Sequence, residues 1–189
     1  SRPERANPIK KRVLIFSPHP DDDVISMGGT FDRLVSQGHE VHIAYQTSGN
    51  IAVSDHEALK YAEVIKDIHA NNSNIDSIIK KISSKKGDIE DDIEVRKLKG
   101  LIRKRESFAA TRFVGIPDRN VHFLNLPFYE TGTVKKKPLS DEDIDIVSNL
   151  IAEIKPHQIY AAGDLADPHG THKVCLDAIF AALEKLKNK

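Results

Sequence analysis

Apolar residues fall into two rhythms along this chain, and the alternation of those rhythms outlines a fold. Arg12 to Ser17 reads Arg-Val-Leu-Ile-Phe-Ser, a continuous apolar run that a strand buried on both faces would show. After Pro18-His19-Pro20-Asp21-Asp22-Asp23 the spacing turns helical. Ile25, Gly28, Gly29, Phe31, Leu34 and Val35 are predicted to share one face, and Gly38 sits where a C-terminal cap belongs. Val41 to Tyr45 reads as a second strand. A strand, a helix and a strand in immediate succession call for a parallel pair joined by a crossover.

From about Ile51 to Arg112 the pattern is helical throughout and rich in Lys, Asp, Glu and Ile. Leu59, Ala62 and Ile65 form one stripe, and Ile75, Ile78, Ile79 and Ile82 another. Asn71-Asn72-Ser73-Asn74 and Lys85-Lys86-Gly87-Asp88 are the expected breaks. The mixed charge of this region, about 54–112, fits solvated helix faces better than a binding patch. Val121 to Leu124 reads as a third strand. Ser140-Asp141-Glu142-Asp143 is a capping-box variant opening a helix with the buried stripe Ile144, Val147, Leu150, Ile151 and Ile154. Gln158 to Ala162 is a fourth strand and Thr171 to Lys187 a last helix. Strands and helices in this order predict an α/β fold: a Rossmann-like, open, mostly parallel sheet with helices on both faces.

With 189 residues, the chain is long enough for one domain with a substantial core and too short for two ordinary ones, so 1–189 is read as a single unit. The start, Ser-Arg-Pro-Glu-Arg, lacks Met, and the last helix runs to the C-terminus uncapped, which reads as a fragment of a longer protein. Twenty-eight basic residues balance 28 acidic ones, so no global field favours nucleic acid or an anionic membrane. A local pair of arginines could still hold a small phosphorylated ligand. Cys175 is the only cysteine, which excludes an internal disulfide and a thiolate zinc cluster and fits a reducing, cytoplasmic setting. No apolar stretch approaches the roughly 20 residues a bilayer span requires.

Two histidine-bearing loops follow strands: His19-Pro20-Asp21-Asp22 after the first, and Asp167-Pro168-His169-Gly170-Thr171-His172 after the fourth. In open α/β sheets, ligands bind beyond the carboxyl ends of strands where the strand order reverses, so the two loops converge if their strands flank that reversal. His19, Asp22 and His172 then offer two imidazole nitrogens and one carboxylate, the set a catalytic zinc takes while leaving a position for water. Asp21 is the candidate general base. His169, three residues before His172, is expected to project to the same side if both lie on a helical turn, and to steady an oxyanion or donate a proton. The plainer alternative is that Asp21 to Asp23 merely satisfy a helix N-terminus and Asp167-Pro168-His169 is an ordinary turn. His39, His42, His56, His69, His122 and His157 are scattered singly and are assigned no chemistry.

The run Ser17-Pro-His-Pro-Asp-Asp-Asp-Val-Ile-Ser-Met-Gly-Gly-Thr30 resembles the signature of the PIG-L/LmbE-like zinc N-deacetylases. The resemblance implies Zn2+, or another divalent metal, on His19, Asp22 and His172, with Asp21 as base and His169 as oxyanion stabiliser. Thr47-Ser48-Gly49-Asn50 looks like the family's substrate-lining turn, which implies roles for Ser48 and Asn50. Arg103-Lys-Arg-Glu106 resembles its Arg-x-x-Glu helix, so Arg103 is expected to reach a sugar or a phosphate, the alternative being a surface ion pair with Glu106 or Glu94.

Departures from the family pattern are Asp23 in place of a Glu, no tyrosine in Gly163-Asp-Leu-Ala-Asp-Pro168, and no clear counterpart for about 54–99 in short bacterial members. Tyr45 to Asn50 and Asn125-Leu-Pro-Phe-Tyr-Glu-Thr-Gly132 are similar to LmbE-like domains fused behind a glucosamine-6-phosphate deaminase module. The implied activity is removal of an N-acetyl group from an N-acetylglucosamine derivative such as a sugar phosphate, with an oligomer left open. The rivals are a phosphoester-cleaving metal hydrolase and a non-catalytic, sugar-phosphate-sensing domain regulating a deaminase.

Overall fold

The computed structural model describes residues 9–69, 71–87, 89–131, 135–163, 166 and 169–188. The chain start, Asp88, Gly132, Asp164-Leu165 and Asp167-Pro168 lie outside the described residues. Four strands, β1 (Arg12–Ser17), β2 (Glu40–Tyr45), β3 (Val121–Phe123) and β4 (Gln158–Ala161), form one parallel sheet in the order β3-β2-β1-β4. Among the described residues six α-helices accompany them: α1 (Asp22–Ser36), α2 (Asp55–Ile68), α3 (Ser73–Ser84), α4 (Ile93–Phe113), α5 (Asp141–Ile154) and α6 (Thr171–Lys187). The α/β class and parallel sheet expected from the sequence are what the chain adopts. None of these helices is long and apolar enough to cross a membrane among the described residues.

Strand geometry explains why β1 is apolar at every position. Successive side chains point to opposite faces, and both faces are covered. Val13 and Ile15 pack with Ile43, Tyr45 and, from α1, Phe31 and Leu34. Leu14 and Phe16 pack the other way, with Ala44, Val147 and Ile151 of α5, and Cys175 and Ile179 of α6. Each fully buried side chain of this size contributes roughly 1.5–3 kcal/mol. A third cluster, separate from the sheet, joins Ala58 and Ala62 of α2, Ile75, Ile78 and Ile82 of α3, and Val95, Leu98 and Ile102 of α4. The charged region therefore folds as a helical layer with its own apolar centre.

Four helices carry side-chain caps at their N-termini, and the one that the sequence announced, at Ser140, is among them. Ser54, Asn72 and Asp92 each accept a backbone N–H in the first turn, and Ser140 with Asp143 forms the reciprocal capping box. One expectation fails in α1. Ile25 is 76% exposed rather than on the buried face. Met27 has non-helical angles (φ −149°, ψ 25°), so the helix is kinked there. At about 100° per residue Ile25 stands about 120° round the helix from Phe31 and about 180° from Leu34, so it faces outward with or without the kink, and Gly29 is exposed because it too lies off that face.

Candidate metal centre

Strand order sets the location. β1 pairs with β2 on one side and β4 on the other, so the chain leaves β1 in one direction across the sheet and later returns on the opposite side. The reversal lies between β1 and β4, where the loops carrying His19 and His172 emerge.

The loop after β1 is pinned from several directions. Ser17 Oγ donates to the His19 carbonyl (2.6 Å) and accepts the Asp23 N–H (3.0 Å). The His19 N–H donates to Asp22 Oδ2 at 2.8 Å. Thr47 donates both its N–H and its hydroxyl to the Pro18 carbonyl, at 3.1 and 2.8 Å. Gly49 lies against the same loop with φ 63°, and a Cβ there would stand 2.8 Å from Pro20 Cδ. Only glycine serves at that position. On the α6 side, Gln46 Nε2 donates to the Cys175 carbonyl at 2.9 Å and ties the helix carrying His172 to the end of β2.

These constraints bring together the three residues that the sequence singled out as a ligand set. His19 Nδ1 is 3.1 Å from Asp22 Oδ2, and His172 Nε2 is 3.3 Å from each of these atoms. One donor atom from each residue lies within 4.8 Å of the others, an arrangement that could hold a metal ion. All three side chains are mostly buried, at 25%, 15% and 16% exposure. Tyr129 meets His19 edge-on, with ring centroids 5.7 Å apart. Burial pushes the Asp22 carboxyl up, but hydrogen bonds from the His19 ring and backbone, with the charges of His19 and His172, outweigh it and hold the group below its ordinary value. Asp22 is thus kept as the carboxylate that metal binding needs. Two imidazoles and one carboxylate fit zinc or a similar divalent ion.

The three consecutive aspartates meet three environments. Asp22 faces the histidines. Asp23 is 2% exposed, accepts the Tyr45 hydroxyl at 2.9 Å, and has its carboxyl pushed up, chiefly by burial. Asp21 is half-exposed and ion-paired with Arg103 Nη2 at 2.9 Å. Its backbone (φ 138°, ψ −28°) lies in a region that a residue with a Cβ seldom adopts, at a cost of about 1–3 kcal/mol.

Arg103 makes the Glu106 ion pair that the sequence offered as the alternative to a substrate contact. Besides Asp21 it binds Glu106 Oε2 at 2.7 Å and donates to the Pro20 carbonyl, so its ends are spent on the loop rather than on open space. Glu94 pairs with Lys81 instead. His169 is exposed and precedes α6, ahead of Gly170 (φ 69°), so helical spacing does not set its direction relative to His172. Ser48 and Asn50 are linked by a 2.8 Å hydrogen bond, and the Glu130 carboxylate accepts from both, at 3.1 and 3.3 Å. Sequence reasoning assigned no role to Glu130, Tyr129 or the Asp23–Tyr45 bond. The available signal was position: Tyr129 and Glu130 follow β3, at the same carboxyl edge of the sheet.

Comparison with known proteins gives the family. The chain matches the PIG-L family, GlcNAc-PI de-N-acetylase, over residues 14–183, and it belongs to that family. A putative glucosamine-6-phosphate deaminase-like protein of Bacteroides thetaiotaomicron is 53% identical over 197 aligned positions, which cover 100% of this chain. The chain spans only 30% of that relative's length. Diacetylchitobiose deacetylase of Thermococcus kodakarensis is 30% identical over 172 positions, 85% of this chain and 61% of the relative. The solved structure of N,N'-diacetylchitobiose deacetylase from Pyrococcus horikoshii shares the fold, with a TM-score of 0.55 at 20% identity over 94% of this chain and 49% of that one.

Proposed function

We propose that the chain is a divalent-metal N-deacetylase, with zinc as its ion, that hydrolyses the acetamido group of an N-acetylglucosamine derivative. The observation that carries this reading is the convergence of His19, Asp22 and His172 at the strand-order reversal, in a chain whose family is named for de-N-acetylation. The names of two relatives, both diacetylchitobiose deacetylases, agree with it.

A divalent cation, when bound there, supplies Lewis-acid activation of the amide carbonyl and of the attacking water. Asp21 accepts the proton that the water loses as its oxygen bonds to the carbonyl carbon, and Arg103 keeps that carboxylate oriented. The proton passes to the amine nitrogen as the carbon–nitrogen bond breaks, leaving acetate and the free amino sugar. His169, on the α6 side, is the candidate donor to the carbonyl oxygen as it gains charge. The 53% identity to part of a longer deaminase-like protein favours one addition: the domain works in the same polypeptide as a glucosamine-6-phosphate deaminase-like module.

The test is metal content together with acetate release. The expected result is one zinc per chain in the wild type and none in His172→Ala. Asp21→Ala should keep its zinc and lose turnover by about 100-fold or more. Undiminished turnover in Asp21→Ala would remove its role as base, and a wild type that binds no divalent metal would remove the reading.

A further inference from the structure

Helix α4 turns a stripe of six residues toward one cleft: Ile93, Arg96, Lys97, Gly100, Leu101 and Lys104. Their spacing of i, i+3, i+4, i+7, i+8 and i+11 places them along one side of the helix. The cleft measures about 440 Å³ and is bounded opposite the stripe by Pro20, Ser48 and Glu130. Pro20 directly follows His19, so one wall of the cleft is the loop that carries two of the candidate ligands. That volume lies within the range of small-molecule sites and suits a substituted hexosamine.

Charge inside the cleft is unbalanced although the chain is neutral overall. Among the described residues Lys97 and Lys104 have no carboxylate at ion-pairing distance, and Arg96 has only a loose contact with Glu90 at 3.6 Å. Lys104 lies over the Phe123 ring at 4.7 Å, which positions the ammonium without neutralising it. Glu130 is the facing carboxylate, and its oxygens are engaged by the Ser48 N–H and the Asn50 amide. Glu94 and Glu106 of the same helix are held by Lys81 and Arg103.

Gly100 sits mid-stripe in a 21-residue helix, where glycine costs about 1 kcal/mol relative to alanine. A Cβ there would come no closer than 3.5 Å to Ser48, which is ordinary contact. Packing does not demand the glycine. Its effect is to leave the middle of the cleft open.

We propose that this cleft takes an anionic group, a phosphate or a carboxylate, carried by the acetylated sugar, with Arg96, Lys97 and Lys104 reading its charge and Gly100 giving room to the ring. The sugar's identity rests on the deacetylase reading above; the anion preference does not. The three cations come from the helical layer and not from the sheet loops, so that layer sets specificity.

The test uses zinc-loaded protein and compares acetate release from N-acetylglucosamine, its 6-phosphate and N-acetylmuramic acid. Binding of glucosamine 6-phosphate and of inorganic phosphate is measured beside it by calorimetry, at low and high salt. At least one anionic sugar should be favoured about tenfold or more, through KM, with the advantage shrinking at high salt. Whether the phosphate or the carboxylate sugar gains decides the source of the charge. Lys97→Gln/Lys104→Gln should lose the preference and weaken phosphate-ester binding about tenfold; Lys97→Gln alone, at an exposed position, serves should the double variant fold poorly. Equal preference in wild type and variant, or a neutral sugar handled as well as both anionic ones, overturns the proposal. Should no sugar release acetate, the binding arm decides. Phosphate-ester binding that depends on Lys97 and Lys104 keeps the cleft assignment while the deacetylase reading falls, and binding indifferent to both lysines overturns it.

Discussion

Arg103 Nη2 stands 2.9 Å from the Asp21 carboxylate, joining the middle of α4 to the loop that follows β1, 82 positions earlier in the chain. The same guanidinium binds Glu106 and the carbonyl of Pro20. An arginine that grips both a backbone carbonyl and the adjacent carboxylate fixes two degrees of freedom at once, the path of the loop and the direction of the acid. That makes Arg103 a positioning residue for Asp21, in a loop whose backbone is already held in an unfavourable conformation.

Arg103→Met keeps the aliphatic stem and removes the fork. With the carboxylate no longer oriented, turnover should fall about 10–100-fold while zinc content stays at the wild-type level. Arg103→Lys, which restores a charge but not the planar fork, should recover only part of the loss. A purely structural role would instead lower the melting midpoint and leave kcat per folded molecule unchanged, so the two are measured together.

Gly49→Ala tests the buttress under the same loop. The new methyl meets Pro20 at 2.8 Å on a backbone with φ 63°, so either the 47–50 turn or the His19 loop must move. The expected cost is about 1–2 kcal/mol of stability, with weaker zinc binding because His19 moves with Pro20. Gly29→Ala, where an added Cβ meets nothing within 4 Å, is the control and should leave zinc affinity alone. Unaltered zinc affinity in Gly49→Ala would show that the turn does not support the ligand loop.

Much of this was legible because the informative features are local. The apolar run of β1 follows from burial on both faces, and the capping box at Ser140 and the breaks around Asn72 and Lys85 follow from backbone chemistry within a few residues. The candidate ligand set was legible in kind, since His19 and Asp22 lie three apart and His172 follows another strand; their approach to within 4.8 Å depended on β4 lying beside β1. What escaped was long-range or conformational. Ile25 faces outward because nine positions before Leu34 is the far side of a regular helix, and nothing in the residue types announces the kink at Met27. The Arg103–Asp21 pair needs the helical layer docked against the sheet, and the Tyr45–Asp23 bond needs α1 packed on β2. His42 and His122 look isolated in sequence, yet their ring nitrogens lie 3.1 Å apart because β2 and β3 pair with Ala44 opposite His122.

Tyr45→Phe removes one donor to a buried carboxyl. Burial pushes Asp23 up, and hydrogen bonds from Tyr45, from the Asp23 and Val24 N–H groups and from Ser17 oppose it. A group raised in the folded state is favoured as the neutral acid, so it costs stability as pH climbs past its ordinary value of about 3.9. Losing the tyrosine hydroxyl raises it further. The variant should therefore be less stable by about 1–3 kcal/mol near neutral pH and closer to wild type near pH 3, where Asp23 is protonated in both. Denaturant midpoints across that range read it, and a deficit that grows toward acid would contradict the assignment.

The helical layer that presents Arg96, Lys97 and Lys104 depends on a second buried cation. Lys99, 5% exposed, stands 2.6 Å from both Asp55 at the start of α2 and Asp91 ahead of α4, and Lys85 after α3 reaches the same two carboxylates. One ammonium thus joins the start of α2 to the start of α4, beside the Lys85 pairs and the Lys66–Asp76, Lys81–Asp92 and Lys81–Glu94 pairs that tie the same three helices. Lys99→Met should cost about 2–3 kcal/mol, below the range for fully buried pairs because Asp55 remains 38% exposed to screening solvent. Burial raises the Asp55 carboxyl, but its bonds and attraction to Lys99 and Lys85 prevail and lower it. For a depressed carboxylate, the contribution is present above its unfolded value, about 3.9, and disappears as pH falls through the folded one. The gap between wild type and Lys99→Met should accordingly be full at pH 7 and narrow below about pH 4. Urea midpoints at pH 7 and pH 3 measure it, and a gap of equal size at both would mean that Lys99 contributes through packing of its stem and not through its charge.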